Sequence, residues 1–187
     1  MNKLFESSGF LPFGSLSLND GRSLDFLALP PILRVLLTTD GTVTKTLESY
    51  FWEPVQVQCI SQSRQIASEA IESIEVECGD SYLQRRVSLV GEHSGNCYAT
   101  ADSRINTALL PVDITEALEA NTLGIGELLR ESGLETYREL LAIGFSHDDD
   151  DTRYRIERSY RIVMGSHPCI EIIEFFPVAL YKALSAV

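Results

Sequence analysis

The chain has 187 residues, 44% of them apolar and 22% charged, a balance that suits one globular domain and excludes a disordered chain. Its 15 Lys and Arg face 27 Asp and Glu, for a net charge of −12. Such acidity excludes generic basic-surface binding of nucleic acid or anionic membranes, so an anionic ligand has to be captured by a few placed arginines working against the global field.

Residues 1–28 are rich in Ser, Gly and Asn and show little periodicity, which predicts an irregular N-terminal arm on a single domain spanning 1–187. No stretch approaches the roughly 20 apolar residues of a membrane span. Residues 1–13 lack the zones of a secretion signal, so a cytoplasmic location is expected. Pro30 and Pro31 open a short helix through Leu37, a helix start being where proline fits best. Thr38-Thr39-Asp40-Gly41 breaks it, and a second helix begins near Thr42 with Val43, Leu47, Tyr50 and Phe51 on one face. Residues 55–60 alternate as a strand, whereas 61–80 are polar and fit a loop with a short helix or strand around Ile71, Ile74 and Val76. Residues 82–90 predict a second strand, 91–96 a turn and 97–101 its hairpin partner. Asp113 caps a helix through Asn121, Gly124 and Gly126 flank Ile125 before residues 127–130, and 134–143 predict another helix stopped by Gly144. Helices over 113–142 would then form a second helical insertion. The run from Asp148 to Asp151 reads as an exposed acidic loop without the ligand spacing of a calcium loop. Residues 154–164 and 169–176 predict a final pair of strands about a tight turn. Short connections between neighbouring strands argue for an α+β fold with an antiparallel sheet rather than a doubly wound one. Cys59, Cys78, Cys97 and Cys169 contain no C-x-x-C pair and read as reduced packing residues. His93, His147 and His167 are scattered through loops, so no zinc site is expected.

Splitting the strands by their period of two isolates charges on apolar stripes. Arg85 shares a face with Leu83, Val87 and Leu89, while Arg86 points the other way. Arg158 lies among Tyr154, Ile156, Tyr160, Ile162 and Met164, and Glu174 among Ile170, Ile172 and Phe176. Buried ions cost several kcal/mol unless paired, so these three residues form either a core ion pair or the wall of a closed pocket for a small, flat anion. In the second case an Arg fork would take a carboxylate and the Glu would meet a hydroxyl or a proton. The sequence holds no G-x-S-x-G elbow, no G-x-G-x-x-G and no phosphate-binding loop, so covalent and nucleotide chemistries are unsupported. Leu123-Gly124-Ile125-Gly126 fits a plain helix-start turn or a set of backbone amides facing an anion.

Several stretches, in order and at the right spacing over roughly residues 30–177, resemble the chorismate pyruvate-lyase (4-hydroxybenzoate synthase) family. They are Leu36-Leu37-Thr38-Thr39-Asp40-Gly41-Thr42-Val43-Thr44, Leu83-Gln84-Arg85-Arg86-Val87-Ser88-Leu89, Tyr98-Ala99 through Asp102-Ser103 to Leu110-Pro111, Gly124-Ile125-Gly126-Glu127-Leu128-Leu129, Arg158-Ser159-Tyr160-Arg161-Ile162 and Ile172-Ile173-Glu174-Phe175-Phe176-Pro177. The likeness is to the branch of mycobacteria, archaea and cyanobacteria more than to the enterobacterial enzyme. It implies a curved antiparallel sheet with helices on one side and two helix-turn-helix flaps, here 31–51 and 113–142, over an internal ligand site. It implies conversion of chorismate to 4-hydroxybenzoate and pyruvate without metal or organic cofactor, feeding quinone or phenolic precursors. By the same resemblance, Arg85 binds the product carboxylate, Glu174 contacts the ring hydroxyl as acid, base or anchor, and the main chain at Ile125 contacts the ligand. Val43 stands where the family often has Met, and Arg158 is assigned to the second carboxylate of chorismate. The alternative is a non-catalytic, sensor-like domain of the same fold that binds a small aromatic acid. Either way the partner is a small molecule, with no nucleic acid and no membrane span.

Overall fold

The computed structural model describes residues 15–17, 23–120, 124–148 and 151–184. A small sheet pairs β1 (Ser15–Ser17) with β2 (Ser23–Asp25), and Leu24 and Phe26 bury into the main core, so the described part of the N-terminal arm is docked. Helix α1 (Pro31–Thr38) carries proline in its first turn and buries Ile32, Leu33, Leu36 and Leu37, the i, i+4 stripe of an amphipathic helix. Helix α2 (Val43–Phe51) buries Val43 and Leu47 and ends at Trp52 in the left-handed region (φ 57°). Three strands follow: β3 (Val55–Ile66), β4 (Ser81–Gly91) and β5 (Cys97–Ile105). A second helix pair, α3 (Val112–Glu119) and α4 (Ile125–Glu131), precedes β6 (Thr136–Asp148), β7 (Asp151–Met164) and β8 (His167–Pro177), and α5 (Val178–Leu184) closes the chain.

The six long strands form one antiparallel sheet in the order β3-β4-β5-β8-β7-β6. The topology is therefore two units, each a helix pair followed by a three-stranded meander, joined where β5 meets β8. Arg85 and Arg158 sit on the middle strands, β4 and β7, of the two meanders. One sheet face holds the core. The opposite face carries directly facing ion pairs, Arg86 Nε to Asp102 at 2.6 Å, Arg104 Nε to Glu171 at 2.8 Å and Arg161 Nε to Glu139 at 2.9 Å. Cross-strand charge pairs of this kind suit a face open to water.

Several expectations change. Residues 134–143, expected as a helix stopped by Gly144, lie almost wholly within edge strand β6, so the second helical insertion ends at Glu131. Glu, Leu, Arg and Ala there favour a helix, but pairing with β7 from Thr136↔Met164 onward overrides that local preference. Residues 61–80 divide: β3 runs on to Ile66, and the rest folds as a tight excursion with an Ile71↔Val76 bridge. Ala67, Ile74 and Val76 bury into a satellite cluster there, and the Asn106 side-chain amide donates to the Ile74 and Glu75 carbonyls at 3.0 Å each. Helix α5 was not expected; its buried Tyr181 hydroxyl donates to the Tyr98 carbonyl at 2.7 Å. Cys78 and Cys97 are exposed rather than packing residues, Cys169 is fully buried, and all four cysteines are free thiols. Within the expected acidic loop, residues 149 and 150 lie outside the described residues, and Asp148 and Asp151 face each other as the ends of β6 and β7.

Candidate active site

Strand register brings the separated charges together. Arg85, Ser103, Ile172 and Tyr160 lie in one transverse row across β4, β5, β8 and β7. Val87, Ala101, Glu174 and Arg158 form the next row. The row of Arg158 and Glu174 depends on a β-bulge. The hairpin turns at Gly165 (φ 62°), so Met164 faces His167 and Val163 faces Pro168. Without the shift between Ile162 and Val163, Arg158 would face Ile173 on the other sheet face. The extra residue, Cys169, moves the register by one and brings Glu174 opposite Arg158.

Ala101 and Ser103 at the sheet centre are small, and the space above them is a cavity of about 480 Å³. Small-molecule sites commonly fall between about 300 and 1,000 Å³. Arg85, Val87, Tyr160, Ile172 and Glu174 line it from the sheet, and α2 and α4 cover it with Val43 and Ile125. Gly124 lets the cover sit close, since a Cβ there would stand 3.2 Å from the Val57 side chain, whereas one on Gly126 would make an ordinary contact with Thr42 at 3.4 Å. Lys45 and Glu48 of α2 and Glu127 and Arg130 of α4 also line the cavity, with Glu127 and Arg130 3.8 Å apart.

The charged groups at and behind this wall are buried: Arg85 exposes 2% of its surface, Glu174 7% and Arg158, behind it, 1%. Arg158 Nε donates to Glu174 Oε2 at 2.7 Å, and its Nη1 donates to the Thr39 carbonyl between α1 and α2, also at 2.7 Å. The Tyr160 hydroxyl donates to Glu174 Oε1 at 3.1 Å, and the Arg158 guanidinium carbon lies 4.9 Å from the Tyr160 ring centroid. Burial, reinforced by the Glu174 charge, pushes the Tyr160 phenol far above the usual tyrosine range, so it stays a protonated donor.

Of the five residues singled out from sequence, Arg85, Glu174, Val43 and Ile125 line one chamber. Arg158 is not among the residues lining that chamber; its Nε is bonded to Glu174 and its Nη1 to the Thr39 carbonyl, and among the described residues its buried Nη2 has no hydrogen-bond partner. The two sequence readings hold together, since Glu174 belongs to a buried ion pair and also to a cavity wall. The sequence places Tyr160 on the stripe of Arg158 but gives it no site role, and Lys45 and Arg130 carry no sequence signal beyond their charge. Among the described residues no group of three His, Cys, Asp or Glu could hold a metal ion. No described helix is long and apolar enough to cross a membrane.

The arrangement has the fold of bacterial effector-binding domains. The effector domain of PhnF from Mycobacterium smegmatis superposes with a TM-score of 0.56 at 13% identity, covering 73% of this chain and 88% of that one. The family model described as "Chorismate pyruvate-lyase Rv2949c-like" matches residues 37–184. The chorismate pyruvate-lyase of Mycobacterium leprae is 32% identical over 162 residues, covering 80% of this chain and 76% of that protein. Its counterpart in Mycobacterium tuberculosis is 27% identical over 163 residues, covering 80% and 81%. The chain belongs to the chorismate pyruvate-lyase family and is an enzyme of that kind.

Proposed function

We propose that the cavity binds chorismate and eliminates pyruvate from it to leave 4-hydroxybenzoate, with the whole chain serving as one domain around that site. The observation that carries the reading is a buried guanidinium, Arg85, and a buried carboxylate, Glu174, on the wall of one chamber under the apolar cover of Val43 and Ile125. Arg85 takes the ring carboxylate through its fork. Glu174 accepts from the ring hydroxyl, and Val43 and Ile125 close over the ring. Lys45 and Arg130 line the same space, and they meet the carboxylate of the enolpyruvyl arm. Arg158 contributes at one remove, by neutralising and aiming Glu174.

The reaction balances within the substrate. The enol-ether C–O bond breaks and its electron pair leaves on the enolpyruvyl oxygen. The C–H bond at the hydroxyl-bearing carbon supplies the pair that completes the aromatic ring. Its proton balances the enolate, which tautomerises to pyruvate, so one dianion becomes two monoanions. Aromatisation provides the driving force, and the protein's task is to hold the ring, exclude water and stabilise the departing charge. The product would serve quinone or phenolic precursor synthesis in the cytoplasm.

The test is incubation of the purified protein with chorismate, with pyruvate followed by a coupled assay and the aromatic product by chromatography. Equimolar pyruvate and 4-hydroxybenzoate are expected. A different hydroxybenzoate would correct the product. Tight binding of 4-hydroxybenzoate with no pyruvate released would overturn the enzymatic reading in favour of a binding domain.

A further inference from the structure

We propose that Tyr160 is the positioning residue that makes Glu174 a fixed acceptor, and that the site therefore selects para-substituted benzoates whose substituent donates a hydrogen bond. The inference rests on the binding pose given above and goes beyond it in naming what sets the selectivity. Glu174 is held at both oxygens, Oε2 by Arg158 Nε at 2.7 Å and Oε1 by the Tyr160 hydroxyl at 3.1 Å. Tyr160 and Glu174 both line the cavity, whereas Arg158 does not, so the tyrosine is the one of the two donors that also faces the ligand space. Arg158 is itself anchored to the Thr39 carbonyl, so the carboxylate lies between an anchored cation and a buried phenol.

Two donors, one on each oxygen, leave Glu174 only lone pairs to offer. A carboxylate held in that way keeps a lone pair free on each oxygen, and the two donors fix the direction in which those lone pairs meet a ligand hydroxyl. The phenol cannot reverse the role: with the Glu174 charge beside it in a dry wall, it stays protonated and donating. A ligand group that only accepts, such as a methoxy oxygen, would face a carboxylate with no proton to give. Buried polar groups left unmatched are the strongest source of such discrimination.

The experiment is calorimetric binding of 4-hydroxybenzoate, 4-aminobenzoate, 4-methoxybenzoate and benzoate to the wild type and to Tyr160→Phe, with chorismate turnover alongside. Tyr160→Phe should weaken 4-hydroxybenzoate about tenfold, the loss of one hydrogen bond to a charged group, and leave benzoate within about twofold. In the wild type, the hydroxy and amino compounds should bind about tenfold or more tighter than the methoxy compound. That comparison stands even if the phenylalanine variant fails to fold. Equal weakening of 4-hydroxybenzoate and benzoate, or no weakening of either, would overturn the role of Tyr160. A wild type that binds 4-methoxybenzoate as tightly as 4-hydroxybenzoate would overturn the acceptor assignment. Failure of the underlying pose looks different, because the wild type would then bind none of the four acids.

Discussion

Replacing Glu174 with alanine strips the anionic partner from a guanidinium that exposes 1% of its surface. Arg158 would keep the Thr39 carbonyl at 2.7 Å and the face of the Tyr160 ring, neither of which carries a full negative charge. Breaking a buried pair by removing one member costs about 3–5 kcal/mol. A domain of this size loses about 2–4 °C of Tm per kcal/mol, so the melting point should fall by about 6–20 °C. The control is Arg86→Ala, whose pair with Asp102 lies on the outer sheet face with the arginine side chain 58% exposed. Surface pairs contribute about 0–1 kcal/mol, so that variant should melt within about 4 °C of the wild type. The double variant Arg158→Met/Glu174→Leu removes both charges together. Apolar replacement of a whole buried pair is often neutral or better, so it should regain most of the lost Tm while remaining inactive. Differential scanning calorimetry with a parallel pyruvate-release assay reads both quantities. Equal melting of Glu174→Ala and Arg86→Ala would refute the buried coupling. A double variant as unstable as the single one would refute unpaired charge as the cause.

Arg85→Ala should lower kcat/KM for chorismate by at least about 100-fold, since a charged hydrogen-bonded contact is lost inside a dry wall, while Arg86→Ala changes it less than about threefold; steady-state kinetics on both variants decides. The Glu53 carboxyl is lowered to about 2, first by the Tyr98 hydroxyl and then by the Ser94 backbone amide. Its folded form therefore favours the charged state: the stabilisation is complete above pH 4.5 and is lost as the pH falls towards 2. The gap in urea midpoint between wild type and Glu53→Gln should accordingly be constant from pH 7 to 5 and shrink on further acidification. A gap that widens on acidification would contradict the sign. Burial pushes the Cys169 thiol up to about 11, so at pH 8 a maleimide should label Cys78 in the native protein and Cys169 only in denaturant, as counted by peptide mass spectrometry. Native labelling of Cys169 at the rate of Cys78 would contradict its burial.

The charged stripes were legible because a period of two survives wherever one sheet face is buried: Arg85, Arg158 and Glu174 all lie on the inner face where that alternation places them. The first helix pair was equally plain, with proline opening α1 and the Thr39 to Gly41 break before α2. Edge strand β6 was not. Its helix-forming composition competes with pairing to a single neighbour, and the part expected as a helix pairs with β7 residues 15 to 28 positions further along, from Ile143↔Arg158 to Thr136↔Met164. The partnership of Arg158 with Glu174 was half visible. Their stripes have the same parity, whereas the turn at Gly165 sets an odd sum of partner numbers, Met164 with His167. Those two facts are compatible only with a bulge between the turn and the pair. What no sequence pattern carried is that Arg158 also reaches the Thr39 carbonyl, a contact spanning 119 positions. That contact ties the guanidinium to the break between α1 and α2.

The central claim is that Arg85 and Glu174 grip opposite ends of one aromatic acid inside the chamber beneath α2 and α4. A crystal structure with 4-hydroxybenzoate tests it most directly. The ligand carboxylate should lie on the Arg85 guanidinium and the ring hydroxyl on Glu174, with Arg158 still bound to Thr39. A ligand seated outside the chamber, or one whose carboxylate displaces Glu174 from Arg158, would contradict it.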